Sequence, residues 1–154
     1  MLIREDGLQS LGVAALLGVH LAHMNDNSPA ESVHALDLEA LRRPEITFWT
    51  AWDRDDLLGC GALMELDAAH GEIKSMHTVE AHRGKGIAGH ILRYMIDVAR
   101  QRAYHRLSLE TGSSGAFAAA QALYAGHGFL PCAPFAAYVA DPHSMFMTLD
   151  LAES

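Results

Sequence analysis

The order and period of the apolar residues predict a mixed α/β (α+β) domain built on one central sheet. Strand-like runs separated by the short polar turns DRDD and DAAHG occupy residues 46–52, 57–66 and 71–79. Apolar residues then recur with a helical period from 86 to 102, and strand and helix patterns alternate to residue 151. Short turns favour antiparallel pairing, and a strand, helix, strand order allows parallel pairing, so a mixed sheet is expected.

The N-terminal part predicts a short strand and two helices. Residues 2–5 form the strand and residues 8–24 an amphipathic helix. The apolar positions at helical spacing in that helix are Leu8, Leu11, Ala15, Val19 and Ala22. A Pro-containing loop follows, and a short helix is expected between Asp37, as its N-cap, and Pro44.

The C-terminal part predicts a surface helix, a strand, a second helix and two further strands. The apolar face of the 86–102 helix consists of Ile87, Ile91, Met95, Val98 and Ala99. A strand is expected at 106–110. The next helix begins near Ser113 or Ser114 and ends at Gly126 or Gly128. The last two strands are expected at 135–139 and 144–151.

Length, charge and cysteine content limit the classes of protein that fit. One domain spanning 1–154 is expected, because 154 residues suffice for a core and no linker or repeat divides them. The net charge of −8 argues against nucleic-acid binding, which needs clustered Lys and Arg. Without a leader pattern or a membrane-length apolar run, a soluble, cytoplasmic protein with no membrane partner is expected. Cys60 and Cys132 form no CxxC motif and are expected to be buried, inert thiols.

Residues 82–92, HRGKGIAGHIL, form a glycine-rich entry to a helix. The dinucleotide fingerprint G-x-G-x-x-G is met by Gly84, Gly86 and Gly89, and Glu110 follows about 20 residues on, where a ribose-binding acid is expected. Placement counts against this interpretation. EAHR separates the glycines from the preceding strand, and too few elements follow for a repeated βαβ array.

The same stretch also satisfies the pattern Q/R-x-x-G-x-G/A through Arg83, Gly86 and Ala88. The amides of residues 84–89 would then point at one place beside a helix N-terminus, which favours an anion. A triphosphate motif is absent, because Lys85 is followed by glycine where a hydroxyl residue is needed. A pyrophosphate is therefore the expected anion; the remaining alternative is that the glycines only form a tight turn.

Four motifs occur in an order that marks a resemblance. The strand GEIKSMHTV, the turn HRGKGIA, the strand LSLET and the segment LYAGHGF follow one another, and with them the chain resembles the GNAT superfamily of acetyl-CoA-dependent N-acetyltransferases. The resemblance covers nearly the whole chain and is most specific from residue 57 to residue 130. It implies a mostly antiparallel sheet of seven strands, splayed between the fourth (71–79) and fifth (106–111), with four flanking helices.

The resemblance implies that acetyl-CoA is the co-substrate, with its pantetheine arm in the opening of the sheet and its pyrophosphate on the glycine-rich turn. The implied coenzyme-binding residues are Met76, His77, Thr78, Arg83, Gly84, Lys85, Gly86, Ile87, Ala88, Gly89 and Phe117. Phe117 is a departure from the family pattern, because many members have Asn at this position, seven residues before the helix tyrosine.

Two catalytic roles are also implied by the resemblance. Tyr124, in LYAGHGF, stands where the superfamily often has the general acid for the departing thiolate, and a phenol of pKa ~10 stays protonated at neutral pH. Glu72, six residues before Thr78, is the first candidate for the base that takes the proton of the amine. The competing candidates are Glu110, His77, Glu31 and His34. The alternatives are that Tyr124 only packs in a helix face and that Glu72 is a solvated acid facing Lys74.

The first helix and the loop after it are expected to shape the acceptor pocket. Glu31, His34 and Glu110 are the candidate substrate-binding residues, since acids attract an ammonium group and imidazoles can bind a carboxylate or hydroxyl. His20 and His23 lie one helical turn apart, but no third ligand is fixed nearby, so no metal is expected.

The predicted function is direct transfer of the acetyl group of acetyl-CoA to a primary amine of a small molecule, amino acid or protein through a ternary complex. One alternative is an acetyl-CoA-binding sensor or interaction module without turnover. A less favoured one is an enzyme that binds a nicotinamide dinucleotide. Dimerisation is common in the superfamily, and the apolar residues of 129–139 and the last strand are the expected contact surface of a homodimer.

Overall fold

A seven-stranded sheet crosses the computed structural model, which describes residues 1–151 of the chain. In chain order the strands are β1 (Leu2–Glu5), β2 (Ile46–Asp53), β3 (Asp56–Asp67), β4 (His70–Thr78), β5 (Arg106–Gly112), β6 (Leu130–Pro131) and β7 (Ser144–Asp150). Across the sheet they lie in the order β1-β2-β3-β4-β5-β7-β6, and only β4 and β5 are parallel among the described strands. The predicted mixed, mostly antiparallel sheet is confirmed. The last three residues of the predicted domain, 152–154, lie outside the described part.

Three α-helices flank the sheet within residues 1–151, where four had been expected: α1 (Leu11–Asn27), α2 (Ile87–Gln101) and α3 (Ala118–Gly126). The segment after Asp37 forms only a 3₁₀ turn at Ala40–Arg42. Asp37 caps that turn, since its carboxylate accepts the Ala40 N–H at 2.8 Å. Pro44 forces Arg43 out of the helical region, so the segment is too short to form an α-helix. None of the described helices is long and apolar enough to cross a membrane.

Helix α1 forms as predicted, but it buries a different face. Ser10 accepts the Val13 N–H at 3.1 Å and begins the helix three residues after Leu8. The predicted apolar face is wrong, because Leu11 is 90% exposed and Val19 is 55% exposed. The buried residues are Val13, Leu16, Leu17 and His20. Apolar residues surround most of this helix, so its periodicity alone does not select the face that packs on the sheet.

The predicted strand at 135–139 is wrong, and these residues lie in a loop. The Tyr138 N–H bonds the Phe135 carbonyl at 3.0 Å, which closes a turn, and Ala136 has a positive φ of 51°. The spacing of three residues turns both aromatic rings toward Phe146 on β7. The strand at this end of the sheet is instead β6, which pairs with β7. We call residues 132–143 the strap.

Two apolar cores lie on opposite faces of the sheet. One lies under α2 and α3 and includes Ile91, Met95 and Leu107, while the other lies under α1 and includes Val13 and Phe48. The face predicted for α2 is confirmed: Ile87, Ile91, Met95 and Ala99 are buried and Val98 packs against the same core. Both faces of the central strands are therefore covered.

The parallel strands β4 and β5 separate part of the way along their length. Their last paired residues are Ile73 and Leu109, yet β4 continues to Thr78 and β5 to Gly112. Ser75 lies in a β-bulge with a φ of 55°, which bends β4 at this point. The predicted splay between the fourth and fifth strands is thus present.

Candidate active site

A cavity of about 580 Å³ opens where β4 and β5 separate. Its walls come from α1, β4, the glycine-rich turn, β5 and α3. The predicted site residues that line it are His34, Glu72, Met76, His77, Thr78, Arg83, Gly84, Gly86, Ile87, Ala88, Gly89, Glu110, Phe117 and Tyr124. Two predicted residues, Glu31 and Lys85, are exposed and do not line it. The Lys85 ammonium lies 3.1 Å from the ring of His82 instead.

The cavity is open to both faces of the sheet. Tyr124 belongs to the core under α2 and α3, together with Ile73 and Leu109. Side chains alternate along a strand, so Glu72 and Glu110, the neighbours of these two residues, point to the opposite face, under α1 and the strap. A reaction in the opening can therefore receive one reactant from each face.

The glycine-rich turn presents unused amides at one end of the cavity. Gly84 and Gly86 both have φ of 78°, a conformation that favours glycine, and Gly86 is the N-cap of α2. No N–H of residues 84–89 donates a hydrogen bond to the described part of the chain, whereas the next amide, that of His90, bonds the Gly86 carbonyl. Open amides at the N-terminus of a 15-residue helix form an anion site.

The edge of β4 offers further backbone groups along the cavity. Residues 74–78 have no strand beside them on the β5 side, because β4 and β5 are paired only as far as Ile73. The Met76 side chain points away, since a Cβ built on Gly61 would lie 2.8 Å from its sulfur, under α2. Met76 can therefore contribute to the cavity through its backbone.

Tyr124 is buried between α3 and the sheet, beside the cavity. Its ring packs edge-on against Phe129, with 5.8 Å between the ring centroids, and burial raises the pKa of its hydroxyl. No hydrogen bond joins this hydroxyl to another described residue, although the ring lines the cavity. A protonated, unengaged phenol at this place can donate a hydrogen bond to a ligand.

Glu72 is buried and held by two neighbours. Its Oε2 lies 3.1 Å from the Lys74 ammonium and accepts the Tyr138 hydroxyl at 2.5 Å. Lys74 in turn donates to the Tyr138 oxygen at 3.0 Å, which closes a three-membered network. The alternative interpretation of Glu72 was a solvated acid facing Lys74. Glu72 does face Lys74, but it is buried.

Glu110 stands on the β5 side of the opening. It lines the cavity and forms no ion pair with a described residue. Burial raises the pKa of its carboxyl, the Ser144 side chain, His34 and Lys74 lower it, and the nearby Glu72 raises it; the net effect is a raised pKa. Glu110 is therefore a carboxylate whose pKa lies above the ordinary range of its type.

A pair of imidazoles lies on the α1 side of the cavity. The Nδ1 atoms of His20 and His77 are 3.0 Å apart, so one ring donates and the other accepts. Burial is the main reason that the pKa of each ring is lowered to about 4, and a smaller contribution comes from the neighbouring His77 for His20 and Arg83 for His77. The buried Nε2 of His77 has no described partner. Both rings are thus neutral at physiological pH.

The folded protein is expected to lose stability as the pH falls from about 7 toward 5. Unfolding exposes two imidazoles that titrate near 6.5, whereas in the folded state they stay neutral down to about 4. In this window the unfolded chain binds more protons, so the free energy of unfolding decreases with falling pH. Urea unfolding of the wild type and of His77→Asn measures the effect. The variant should show a shallower pH dependence, and an unchanged slope would contradict the assignment. His143→Gln, at an exposed position, is the control.

Phe117 stands where the family pattern has Asn. Its buried ring packs against the backbone of Gly112, where an added Cβ would lie 2.1 Å from the ring, and edge-on against His23 at 5.3 Å. The ring lines the cavity at the N-terminal end of α3. Any contact that it makes with a ligand there is apolar.

The two cysteines are placed away from the cavity. Cys60 is buried as predicted, and burial raises the pKa of its thiol to about 12. Cys132 is only partly buried, so the prediction is wrong for this residue. Neither lines the cavity.

Within residues 1–151, no group of three His, Cys, Asp or Glu side chains is arranged to bind a metal ion.

The sequence does not predict Tyr138 or Lys74 as functional, because Tyr138 lies in a segment with a strand pattern and Lys74 is predicted only as a neighbour of Glu72. For His20 the sequence suggests an acceptor-pocket imidazole or a metal ligand, and not the contact with His77. The contacts of these residues reach across 57 to 66 residues of chain in the pairs His20–His77 and Glu72–Tyr138. One local signal is Lys74 itself, a lysine that follows four buried residues of β4.

A splayed mixed sheet, with a cavity in its opening and a helix N-terminus at one end, is the architecture of an acyltransferase. The model of the acetyltransferase (GNAT) family matches residues 16–129. The uncharacterized N-acetyltransferase YsnE of Bacillus subtilis is 54% identical over 151 residues, which cover 98% of this chain and 100% of the relative. The uncharacterized N-acetyltransferase YedL of Escherichia coli is 48% identical over 152 residues, which cover 99% of this chain and 96% of the relative. The chain therefore belongs to the GNAT acetyltransferase family.

A solved structure supports the same fold. The crystal structure of a GNAT family acetyltransferase from Elizabethkingia anophelis with acetyl-CoA bound aligns with a TM-score of 0.72 at 19% identity, covering 97% of both chains. A mostly antiparallel sheet differs from the repeated βαβ array that a dinucleotide fold requires. The nicotinamide interpretation of the three glycines is therefore wrong.

Proposed function

We propose that this acyltransferase moves the acetyl group of acetyl-CoA directly to a primary amine through a ternary complex. The observation that carries the proposal is the cavity in the opening of the sheet, with open amides at one end, a phenol on one face and a carboxylate on the other. Each of these groups matches a requirement of acyl transfer from a thioester to an amine.

The residues around the cavity fit coenzyme A. The amides of 84–89 suit its pyrophosphate, and Arg83 adds positive charge beside them. The unpaired edge of β4 at residues 74–78 suits the amide groups of the pantetheine arm, which need hydrogen-bond partners along their length. Acetyl-CoA would supply the activated acetyl group as a thioester in the opening.

Glu110 and Tyr124 take the proton-transfer roles in this proposal. Glu72 is the weaker candidate for the base, because Lys74 and Tyr138 already engage its Oε2. Glu110 forms no ion pair with a described residue. Its pKa is raised toward neutral pH, and a pKa near the working pH suits a general base. Tyr124 would donate its proton to the departing thiolate on the other face of the sheet.

Direct transfer is favoured over an acyl-enzyme route by the placement of the cysteines. A covalent route needs a nucleophile in the cavity, ionised or next to a base. Cys60 donates its S–H to the Ser75 carbonyl at 3.2 Å, and its raised pKa keeps it protonated. Backbone N–H groups on the unpaired edge of β4 at residues 74–78 would stabilise negative charge on the carbonyl oxygen.

The first experiment is calorimetric titration with acetyl-CoA and NADH, followed by an assay for released thiol with a panel of amines. The proposal predicts binding of acetyl-CoA, no binding of NADH, and thiol release that depends on an amine. Phe117 in place of Asn leaves one alternative, a binder without turnover. Binding of acetyl-CoA without thiol release for any amine would favour that alternative and overturn the proposed activity.

Glu110→Gln is expected to lower kcat/KM by about 100-fold near neutral pH, because a neutral amide cannot accept the proton of the amine. The loss should shrink as the pH rises, since the amine then deprotonates in solution. In the wild type, activity should fall with decreasing pH through the raised pKa of Glu110. The pH dependence of kcat/KM for wild type, Glu110→Gln and Glu72→Gln tests this. A larger loss in Glu72→Gln would transfer the base to Glu72.

Homodimerisation remains a prediction. Leu130 and Val139, which are 67% and 76% exposed, are apolar side chains that such a contact could cover. Sedimentation equilibrium of the wild type gives the molecular mass in solution, and a monomer would contradict the prediction.

A further inference from the structure

Lys74 places a buried ammonium group on the acceptor face of the cavity. Its side chain is 8% exposed, and it donates to Glu72 at 3.1 Å and to Tyr138 at 3.0 Å. An ammonium carries three N–H donors, and no third partner exists among the residues that the structure describes. Buried donors seldom stay unpaired, and Lys74 lines the cavity. One donor of Lys74 is thus open to a ligand.

Lys74 and Glu110 face each other across the opening of the sheet. The last β4–β5 pair is Ile73 with Leu109, so these two residues are the next on each strand. Residues in register on parallel strands point to the same face, and here the pair brings opposite charges to the face under α1 and the strap. Lys74 also lowers the pKa of Glu110, which agrees with their proximity.

Aromatic side chains limit the space beside this charge pair. The rings of His34 and Tyr138 meet edge-on with centroids 5.0 Å apart, and Phe135 packs on Tyr138 at 5.1 Å. Among these, His34 also lines the cavity. A ligand between the two charges is therefore partly shielded from bulk water, which strengthens its charged hydrogen bonds.

We propose that the acceptor is an amino acid or a closely similar amine, whose carboxylate binds the open donor of Lys74 while its amino group faces Glu110. The proposal rests on the proposed acetyltransferase function. It follows from the opposite charges of Lys74 and Glu110: a zwitterion complements both residues, whereas a simple amine leaves the donor of Lys74 without an acceptor. A site with an unpaired buried donor discriminates against such a ligand.

The test compares L-amino acids with their carboxamides as acceptors. The carboxamide keeps the size and removes the charge, and thiol release from acetyl-CoA gives kcat/KM for each member of a pair. In the wild type the amino acid should be preferred by about tenfold or more, as for one charge-assisted hydrogen bond. In Lys74→Gln, the ratio of kcat/KM for the amino acid to kcat/KM for its carboxamide should fall close to the ratio of the rates at which the two amines react with acetyl-CoA without enzyme. Because both proteins use the same two acceptors, the difference in amine pKa cancels between them.

Two further variants keep the result interpretable. Lys74→Gln leaves Glu72 buried without its cation, so a double variant, Glu72→Gln with Lys74→Gln, removes both charges and should also lose the preference. Arg43→Gln removes an exposed cation remote from the cavity lining and should keep it. Turnover without preference in the wild type, or an unchanged preference in both Lys74 variants, would overturn the amino-acid proposal and leave the acetyltransferase function standing. No thiol release with any amine would overturn both.

Discussion

Tyr124→Phe is expected to lower kcat by about 10²- to 10⁴-fold while the affinity for acetyl-CoA stays close to that of the wild type. The substitution removes only the hydroxyl, and the ring contact with Phe129 can persist. Burial raises the pKa of the Tyr124 phenol and keeps it protonated. Burial of the leaving thiolate beside it makes that thiolate more basic, so the thiolate can still take the proton of the phenol. Single-turnover measurements with a good acceptor report the chemical step, and calorimetry reports the affinity.

The matched control is Tyr94→Phe. Tyr94 lies on α2, its ring packs against Trp49 at 5.9 Å, and it does not line the cavity. This variant should keep the wild-type rate. An unchanged single-turnover rate in Tyr124→Phe would remove Tyr124 as the general acid and leave it as a packing residue of α3.

Gly86→Glu is expected to weaken the binding of acetyl-CoA by at least about 100-fold. The carboxylate would stand at the N-cap of α2, where the open amides of 84–89 would receive the pyrophosphate, so it would occupy the site and repel the ligand. A residue other than glycine at φ of 78° also costs about 1–2 kcal/mol of backbone strain. Calorimetric titration with acetyl-CoA and with coenzyme A measures the loss.

Two controls separate charge from backbone strain. Gly86→Asn introduces a neutral residue that tolerates the left-handed conformation, so it should retain most of the affinity. Gly18→Glu makes the same change in charge on the exposed side of α1, where a Cβ meets no other atom within 4 Å, and should bind normally. Binding of wild-type strength in a folded Gly86→Glu variant would remove the glycine-rich turn as the pyrophosphate site.

Local patterns predicted the parts of the site that depend on backbone chemistry. The glycines of HRGKGIAGHIL form the N-terminus of α2, and their positive φ explains why glycine occurs there. The strands of residues 46–79 also followed from their apolar and aromatic runs between polar turns, and the face of α2 followed from its helical period, which leaves one clear apolar stripe. The conformation of the strap did not follow from periodicity, because the apolar run FAAYV mimics a strand, whereas Phe135 and Tyr138 in fact pack through a turn.

The sequence by itself determined most of the order of the elements, the class of fold and the glycine-rich turn, because each depends on residues close together in the chain, whose spacing sets helix, strand and turn geometry. The resemblance to the GNAT superfamily marked Tyr124 as a candidate acid. Tertiary structure alone decided that α1 packs through His20, that Glu72 is engaged by Lys74 and Tyr138, and that Glu110 forms no ion pair within residues 1–151. These contacts join segments as far as 66 residues apart, and they arise from how the faces of the sheet are covered, which no local spacing encodes.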